Sequence, residues 1–293
     1  MTDLKQITEL AEIGTTAWAS KELAGKLLGS TFDYLGGELR NFTEKCNINL
    51  TDIFLRAKRK LGAKLDKPGD VSPRVLRNVL DEGAFCEDNV ASEYIAGILA
   101  SSRTEDQGDD RGVPYLAVIR ELSTHQLRTH YLIYWSIKQL LNGRELSVAL
   151  GNQAREMRIF LPGTFLDTNL KQQPNDVLDL HALAGLARHD LIDPLWWGGP
   201  VDVFAEEEPW IDEAGYLVTP TKFGVELFLW AHGYSQMHVA DYLSEGVVIE
   251  AAPDFEVSGS ATHAPDRQLE LERDRVIREN FLRQTLASRS LNR

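Results

Sequence analysis

Apolar residues recur at helical spacing through the first half of this chain, and this pattern limits the possible fold more than any other feature. Over residues 4–42, 50–65, 90–101 and 127–141 they fall mostly three or four positions apart. Such spacing places apolar side chains on one face of an α-helix. We therefore expect residues 1–145 to form an all-helical domain.

Short motifs indicate where several of these helices begin and end. Ser72 followed by Pro73 is typical of a helix start, and Ser123 with Gln126 forms a capping box. Gly143 is expected to stop the helix that the capping box opens. These signals depend on neighbouring residues alone, so they predict boundaries without any knowledge of packing.

The helix over residues 50–65 carries a basic run. Its members are Arg56, Lys58, Arg59 and Lys60. We interpret them as a solvated helix face, with a patch that binds phosphate or nucleic acid as the alternative.

Two glycines four residues apart, Gly25 and Gly29, fall in the N-terminal helical pattern. Small residues at this spacing allow two helices to approach closely. We expect that approach inside the protein or in a homodimer, because charged residues interrupt the segment and make membrane association the weaker interpretation.

An acidic segment, SRTEDQGDDRGVP, separates two of the predicted helices at residues 102–114. Its charged and turn-forming residues predict a solvated loop. Asp106, Asp109 and Asp110 are weak candidates for holding a divalent cation, because they lack the alternating spacing of an EF-hand loop. The chain has two cysteines, Cys46 and Cys86, which we expect to be small buried residues in a reducing compartment.

The second half of the chain has a different sequence pattern. Residues 146–175 read as a connection, and residues 176–235 follow the order helix, two-stranded wing, helix, in which residues 201–204 (VDVF) are expected to be a strand. This order resembles a winged helix. The segment 176–215 contains ten acids and one base, a net charge of −9, so its wing with three consecutive glutamates, including Glu208, would repel phosphate. Protein contact is therefore the favoured use of this domain.

Some residues of the winged-helix-like segment remain candidates for an interface. Arg188, His189 and Lys222 would lie near the duplex if the domain bound DNA, and Trp196 and Trp197 form a turn suited to protein contact.

The C-terminal part is expected to be less regular. Residues 236–265 read as an irregular linker, with one strand within 246–256 and a flexible stretch, SGSATHAPD. The tail from residue 266 is predicted to be helical with an incomplete apolar stripe at Leu269, Val276, Ile277, Phe281 and Leu282. We expect it to dock on its own domain or on a second subunit; the alternative is an exposed helix that binds a partner.

The sequence shows no known catalytic or cofactor motif. It has no HExxH, GxSxG, P-loop or GxGxxG pattern, and its seven histidines do not fall at metal-ligand spacing. We therefore expect no cofactor. The absence of a long uninterrupted apolar run and an acidic N-terminus predict a cytoplasmic protein, and the net charge of −13 disfavours binding to an anionic membrane.

The order of features resembles the bacterial Abi-alpha family, named for abortive infection. The residues that carry the resemblance are the Gly-bearing N-terminus, Arg56-Ala57-Lys58, Ser72 to Leu76, Asp81 to Ser101, Leu191-Ile192, and Leu217 to Thr219 with Gly224. The resemblance implies a bacterial protein linked to defence against phage, and it assigns no catalytic residue. The double tryptophan and the long acidic wing are departures from the family pattern.

Together these observations predict a mainly α protein with a winged-helix-like α+β domain and a C-terminal helix over 266–293. We expect a non-enzymatic defence protein, a homo-oligomer, that acts through protein contacts with host or phage. The alternatives are a winged-helix DNA-binding regulator and a toxic effector, either a cryptic nuclease or a membrane-perturbing helix.

Overall fold

The computed structural model describes residues 25–29, 44–105, 109–171, 176–252, 255–273 and 275–277. Of the predicted N-terminal helical segment, only the turn at residues 25–29 lies within these ranges. Phe281 and Leu282 of the predicted C-terminal stripe lie outside them.

The described chain is mainly helical, as expected. Its helices are α1 (Glu44–Leu61), α2 (Pro73–Gly83), α3 (Asn89–Ser101), α4 (Gly112–Glu121), α5 (Thr124–Leu141), α6 (Gly151–Glu156), α7 (Gly163–Leu170), α8 (Asp176–Arg188) and α9 (Lys222–Ala231). A further helix, α10, covers residues 264–273 and 275–277. The strands are β1 (Asp70–Val71), β2 (Arg103–Thr104), β3 (Ile159–Pro162), β4 (Trp197–Gly199), β5 (Gly215–Val218) and β6 (Thr262–His263).

Local signals place several helix ends where the sequence predicts them. Pro73 occupies the first turn of α2, although the Ser72 side chain makes no capping hydrogen bond. The capping box of α5 is formed in both directions between Ser123 and Gln126. Gly143 follows α5 with a φ of +78°, a conformation that glycine adopts without strain.

Helix α3 is the centre of the helical part. All of its residues after Asn89 are buried, and the Asp88 side chain caps its start by accepting from the backbone N–H groups of Val90 and Ala91. Helices α1 and α9 pack against it. Where α3 meets α9, the Ser101 hydroxyl donates to the Trp230 carbonyl across 2.9 Å.

The contact between α3 and α9 depends on Gly97. A Cβ atom at this position would lie 1.7 Å from the carbonyl oxygen of Ala231, which is a backbone atom that no side-chain rotation can move. We expect Gly97→Ala to force the helices apart and to lower the free energy of unfolding by about 1–3 kcal/mol or more, measured by urea denaturation. Gly151→Ala is the matched control, because its new Cβ atom meets nothing within 4 Å. Equal midpoints for both variants would contradict this close contact.

Aromatic and histidine rings fill the space between α3, α5 and α9. The rings in mutual contact are Tyr94, His130, Tyr131, Tyr134, Phe228, His232, Tyr242 and Phe255. The Tyr134 hydroxyl donates to the Leu191 carbonyl at 2.5 Å and accepts from the Thr221 N–H at 3.1 Å. This one side chain therefore ties the helical part to the start of α9.

Two strands interrupt the region that we expected to be all-helical. β1 and β2 pair antiparallel, with Val71 opposite Arg103. The Arg103 guanidinium donates to the carbonyl oxygens of Lys26, Lys64 and Lys67 at 2.6–3.0 Å, so β2 is held in place by long-range bonds. Sequence periodicity does not report such bonds, and the all-helical prediction for 1–145 is wrong at this point.

A four-stranded antiparallel sheet, in the order β4-β5-β3-β6, builds the second half. β5 matches the second strand of the predicted wing, whereas β4 covers residues that we expected to form a turn. β3 comes from residues 146–175, which we interpreted as a connection, and β6 comes from the stretch we expected to be a flexible linker. β3 becomes a central strand because both of its edges find partners, which pattern alone does not reveal.

Two further strand predictions need correction. Residues 201–203 form a 3-10 turn rather than a strand, because Pro200 has no N–H to continue the ladder after β4. Among the described residues of 246–256 no strand forms. There the backbone N–H groups of Val248 and Ala252 donate to the hydroxyls of Tyr234 and Tyr131 instead of to a neighbouring strand.

Candidate functional site

The basic run of α1 divides into a buried and an exposed half. Arg56 and Lys60 reach the buried Glu93, with Arg56 Nη1 at 3.0 Å from Glu93 Oε2 and Lys60 Nζ at 2.7 Å from Glu93 Oε1. Lys58 and Arg59 are exposed. The solvated-face prediction is therefore wrong for Arg56 and Lys60, because a carboxylate 37 residues from Arg56 along the chain draws them inward.

The charges of this buried cluster compensate one another. Burial alone would raise the pKa of Glu93, but Lys60 and Arg56 outweigh burial and hold that pKa below its usual value. Burial lowers the pKa of Lys60 although Glu93 opposes the change. Arg56 is further bound by Asp52, with Nε and Oδ2 2.6 Å apart. The cluster stabilises the packing of α1 on α3.

Two of the three aspartates considered as cation ligands form ion pairs with arginines instead. Asp109 lies 2.7 Å from Arg111, which also lowers the pKa of this carboxyl group, and Asp110 lies 2.6 Å from Arg74. Asp106 is outside the described residues. In the parts of the chain that the structure describes, no group of three or more histidine, cysteine, aspartate or glutamate side chains is placed to hold a metal ion.

The two glycines of the N-terminal motif behave differently. Gly29 has a φ of +57°, and a Cβ atom there would lie 1.9 Å from Oδ1 of Asp70. A Cβ atom at Gly25 would meet nothing within 4 Å. The close approach in the described chain is therefore between a helix end and β1, rather than between two helices.

Two of the three residues proposed for DNA contact lie near acidic side chains. Arg188 is exposed, whereas His189 is partly buried with Nδ1 3.8 Å from Oε2 of Glu121. Lys222 faces Glu226 within its own helix at 4.0 Å. The two tryptophans are both partly buried and pack on different aromatic rings. Trp196 contacts Tyr216, and Trp197 contacts Phe204.

The last glutamate of the predicted acidic wing is not part of an exposed wing. Glu208 is buried, and it accepts hydrogen bonds from Arg158, Gln268 and the Trp210 indole N–H. These three hydrogen-bond donors explain why the protein tolerates a buried carboxylate at this position. Glu208 is therefore not one of the exposed charges that would repel phosphate.

The bond from Gln268 to Glu208 is one of several that anchor the base of α10. Asp266 binds Arg144 through both carboxylate oxygens, at 3.0 and 2.5 Å, and lies 3.0 Å from His263. These partners, Arg144 first, lower the pKa of Asp266 to about 2. His263 is itself bound to the Glu156 carbonyl at 2.6 Å. The start of α10 is thus attached to the sheet and to the end of α5.

Beyond Gln268 the same helix leaves the body of the protein. Every residue from 269 to 273 and from 275 to 277 is exposed. Four large apolar side chains are included, with exposed fractions of 52% for Leu269, 42% for Leu271, 55% for Val276 and 64% for Ile277. Docking of this stretch on its own domain is therefore wrong for the described residues.

Comparisons with protein-family models, with curated proteins and with solved structures find no match. The resemblance to the Abi-alpha family consequently rests on the residues quoted above. In the described ranges no helix is long and apolar enough to cross a membrane.

Sequence reasoning missed two features of this region. The sequence gives no sign that Glu208 is buried. For Glu93 a signal of burial exists, because this glutamate stands in an apolar helix among residues such as Val90 and Ile98. The anchored and exposed halves of α10 also have no separate signal, because both read as amphipathic helix.

Proposed function

We propose that the protein acts in bacterial defence against phage by binding another protein through the exposed part of α10. The observation that carries the proposal is the combination of a firmly anchored helix base with four exposed apolar side chains beyond it. Apolar side chains grouped on one projecting element mark protein-binding surfaces, because water solvates them poorly. The defence role comes from the resemblance to the Abi-alpha family.

The anchoring contacts support a binding role for this helix. Asp266, His263 and Gln268 hold the start of the helix on the body of the protein, so a partner has less of the helix to order on binding. A helix ordered in advance loses less conformational entropy in the complex. We accordingly place the interface at Leu269, Val276 and Ile277.

The proposal also covers the location of the protein in the cell and the role of its second domain. We place the protein in the cytoplasm, and we assign residues 176–235 a winged-helix-like role in protein contact. The order of α8, the antiparallel pair β4 and β5, and α9 supports that assignment. The exposed Glu206 and Glu207 next to this pair favour a protein partner over nucleic acid.

A phage challenge tests the function. Cells carry the gene in its native operon as wild type, as Leu269→Asp/Ile277→Asp, or as Val248→Asp. Val248 is the matched control, because it is 66% exposed and lies on the body of the protein. We expect wild type and the control to reduce phage plating relative to an in-frame deletion, with culture collapse only at high multiplicity, and the double variant to plate phage like the deletion.

Purified protein shows whether folding confounds the result. Circular dichroism and thermal unfolding of the double variant should match wild type, since both residues are exposed in the free chain. In-cell crosslinking followed by mass spectrometry should find peptides of another protein joined to α10 in wild type alone. Protection by the double variant equal to wild type would overturn the proposed interface.

A further inference from the structure

One part of the protein surface is basic, although the protein as a whole is acidic. Residues 56–77 contain eight bases and two acids, a net charge of +6, within a protein of net charge −13. Two of those bases, Arg56 and Lys60, form ion pairs with Glu93 inside the protein. We define the basic surface as the exposed bases nearest the end of α1 together with one earlier lysine. Its members are Lys26, Lys58, Arg59, Lys64 and Lys67.

One arginine brings three of these lysines together. The guanidinium of Arg103 binds the backbone carbonyls of Lys26, Lys64 and Lys67 at 3.0, 3.0 and 2.6 Å. Their backbones therefore surround a single side chain although 41 positions separate the first from the last in the chain. Lys58 lies in the last turn of α1, directly before the 3-10 turn that carries Lys64.

Four bases of this surface, Arg59 and three lysines, have few ionic partners. Arg59 and Glu93 are 3.9 Å apart, which is a long distance for an ion pair. Among the residues that the structure describes, Lys58, Lys64 and Lys67 form no ion pair. The surface thus offers several separate positive charges to a ligand.

We propose that this basic surface binds the phosphate backbone of nucleic acid without reading its sequence. Separated lysines neutralise successive phosphates as point charges, and the acidic remainder of the molecule repels the polyanion and so directs it to this face. The site is independent of the interface on α10, and it differs from the winged-helix mode, in which Arg188, His189 and Lys222 would face the duplex.

Fluorescence anisotropy with a short labelled DNA duplex tests the site on the full chain. We expect binding that weakens steeply between about 50 and 200 mM salt, since each neutralised phosphate contributes about 0.9 to the slope of log affinity against log salt. Lys64→Ala/Lys67→Ala should reduce the magnitude of that slope by about 2 and weaken binding at low salt. Both side chains are exposed, and Arg103 binds only their backbone carbonyls, so the fold should be retained.

The matched control is Arg188→Ala/Lys222→Ala, which removes the same charge from the winged-helix-like segment. Affinity and slope equal to wild type are expected for it. Loss of binding in this control with retention in the lysine variant would overturn the assignment in favour of the winged-helix segment. Flat, salt-independent anisotropy of wild type would overturn nucleic-acid binding altogether, and equal competition by polyglutamate of the same charge would show a surface for acidic protein instead.

Discussion

Acidification from about pH 6.5 to about pH 4.5 is expected to lower the free energy of unfolding by about 5 kcal/mol through two buried histidines. Burial lowers the pKa of His130 and of His232 to about 3 in the folded protein, and Lys60 adds to the effect at His232. The unfolded chain binds these protons near pH 6.5. The stability is therefore fully present above about pH 6.5 and is lost progressively as the pH falls towards 3.

The geometry explains why both rings stay neutral. His232 Nδ1 donates to the Phe228 carbonyl at 2.7 Å, and His130 Nδ1 shares a hydrogen bond with the Tyr94 hydroxyl at 2.7 Å. Both side chains lie among aromatic rings at 4.3–6.3 Å, where a second proton would place a poorly solvated charge. Glu93 and the Phe228 carbonyl favour the charged form of His232 without overcoming burial.

Urea denaturation at a series of pH values measures the effect. Each histidine contributes about 1.4 kcal/mol per pH unit in this window, so His232→Phe should remove about half of the histidine contribution to the slope. His181→Gln is the matched control, because His181 is exposed, and it should keep the full slope. A His232→Phe profile that runs parallel to wild type would contradict the assignment of the pH dependence to this ring.

Replacing Glu93 by leucine is expected to cost about 3–5 kcal/mol of unfolding free energy at neutral pH. The substitution leaves Arg56 and Lys60 buried without the carboxylate that both of them contact. An uncompensated buried charge is far more costly than the loss of the ion pair itself. Arg56 keeps Asp52 and Asn89 as partners, so most of the penalty should come from Lys60.

A double variant separates charge from shape. Glu93→Leu/Lys60→Met should recover most of the lost stability, because it removes both the buried carboxylate and the lysine left without it. Glu121→Gln is the control at an exposed glutamate, 60% exposed, and should change stability by less than about 0.5 kcal/mol. A double variant as unstable as the single one would show that packing rather than charge sets the cost.

Local chemistry determined several helix boundaries of this protein before any packing is considered. The capping box at Ser123, the proline at position 73 and the glycine at position 143 act on their own turns, and each is present as expected. Helical spacing predicts the buried apolar residues Leu127, Tyr131, Tyr134, Ile137 and Leu141 of α5, whereas the burial of its polar residues depends on packing.

The candidate interface was predictable only as a helix. Its sequence indicates an amphipathic segment from residue 266, with Leu269 and Val276 on the stripe. Whether such a stripe meets its own body depends on where the helix leaves the sheet. That direction is set by Arg144, His263 and Glu208, which lie far apart in the chain.

Tertiary structure alone decided which charges are buried and which strands pair. Glu93 collects Arg56 and Lys60 from another helix, and β3 pairs with β5 and β6 across intervals of more than fifty residues. The sequence by itself determined most helices of the first half, several of their ends and the charge contrast between residues 56–77 and the rest. Local signals act through one turn of backbone, whereas burial and strand pairing depend on surfaces that meet only after the chain has folded.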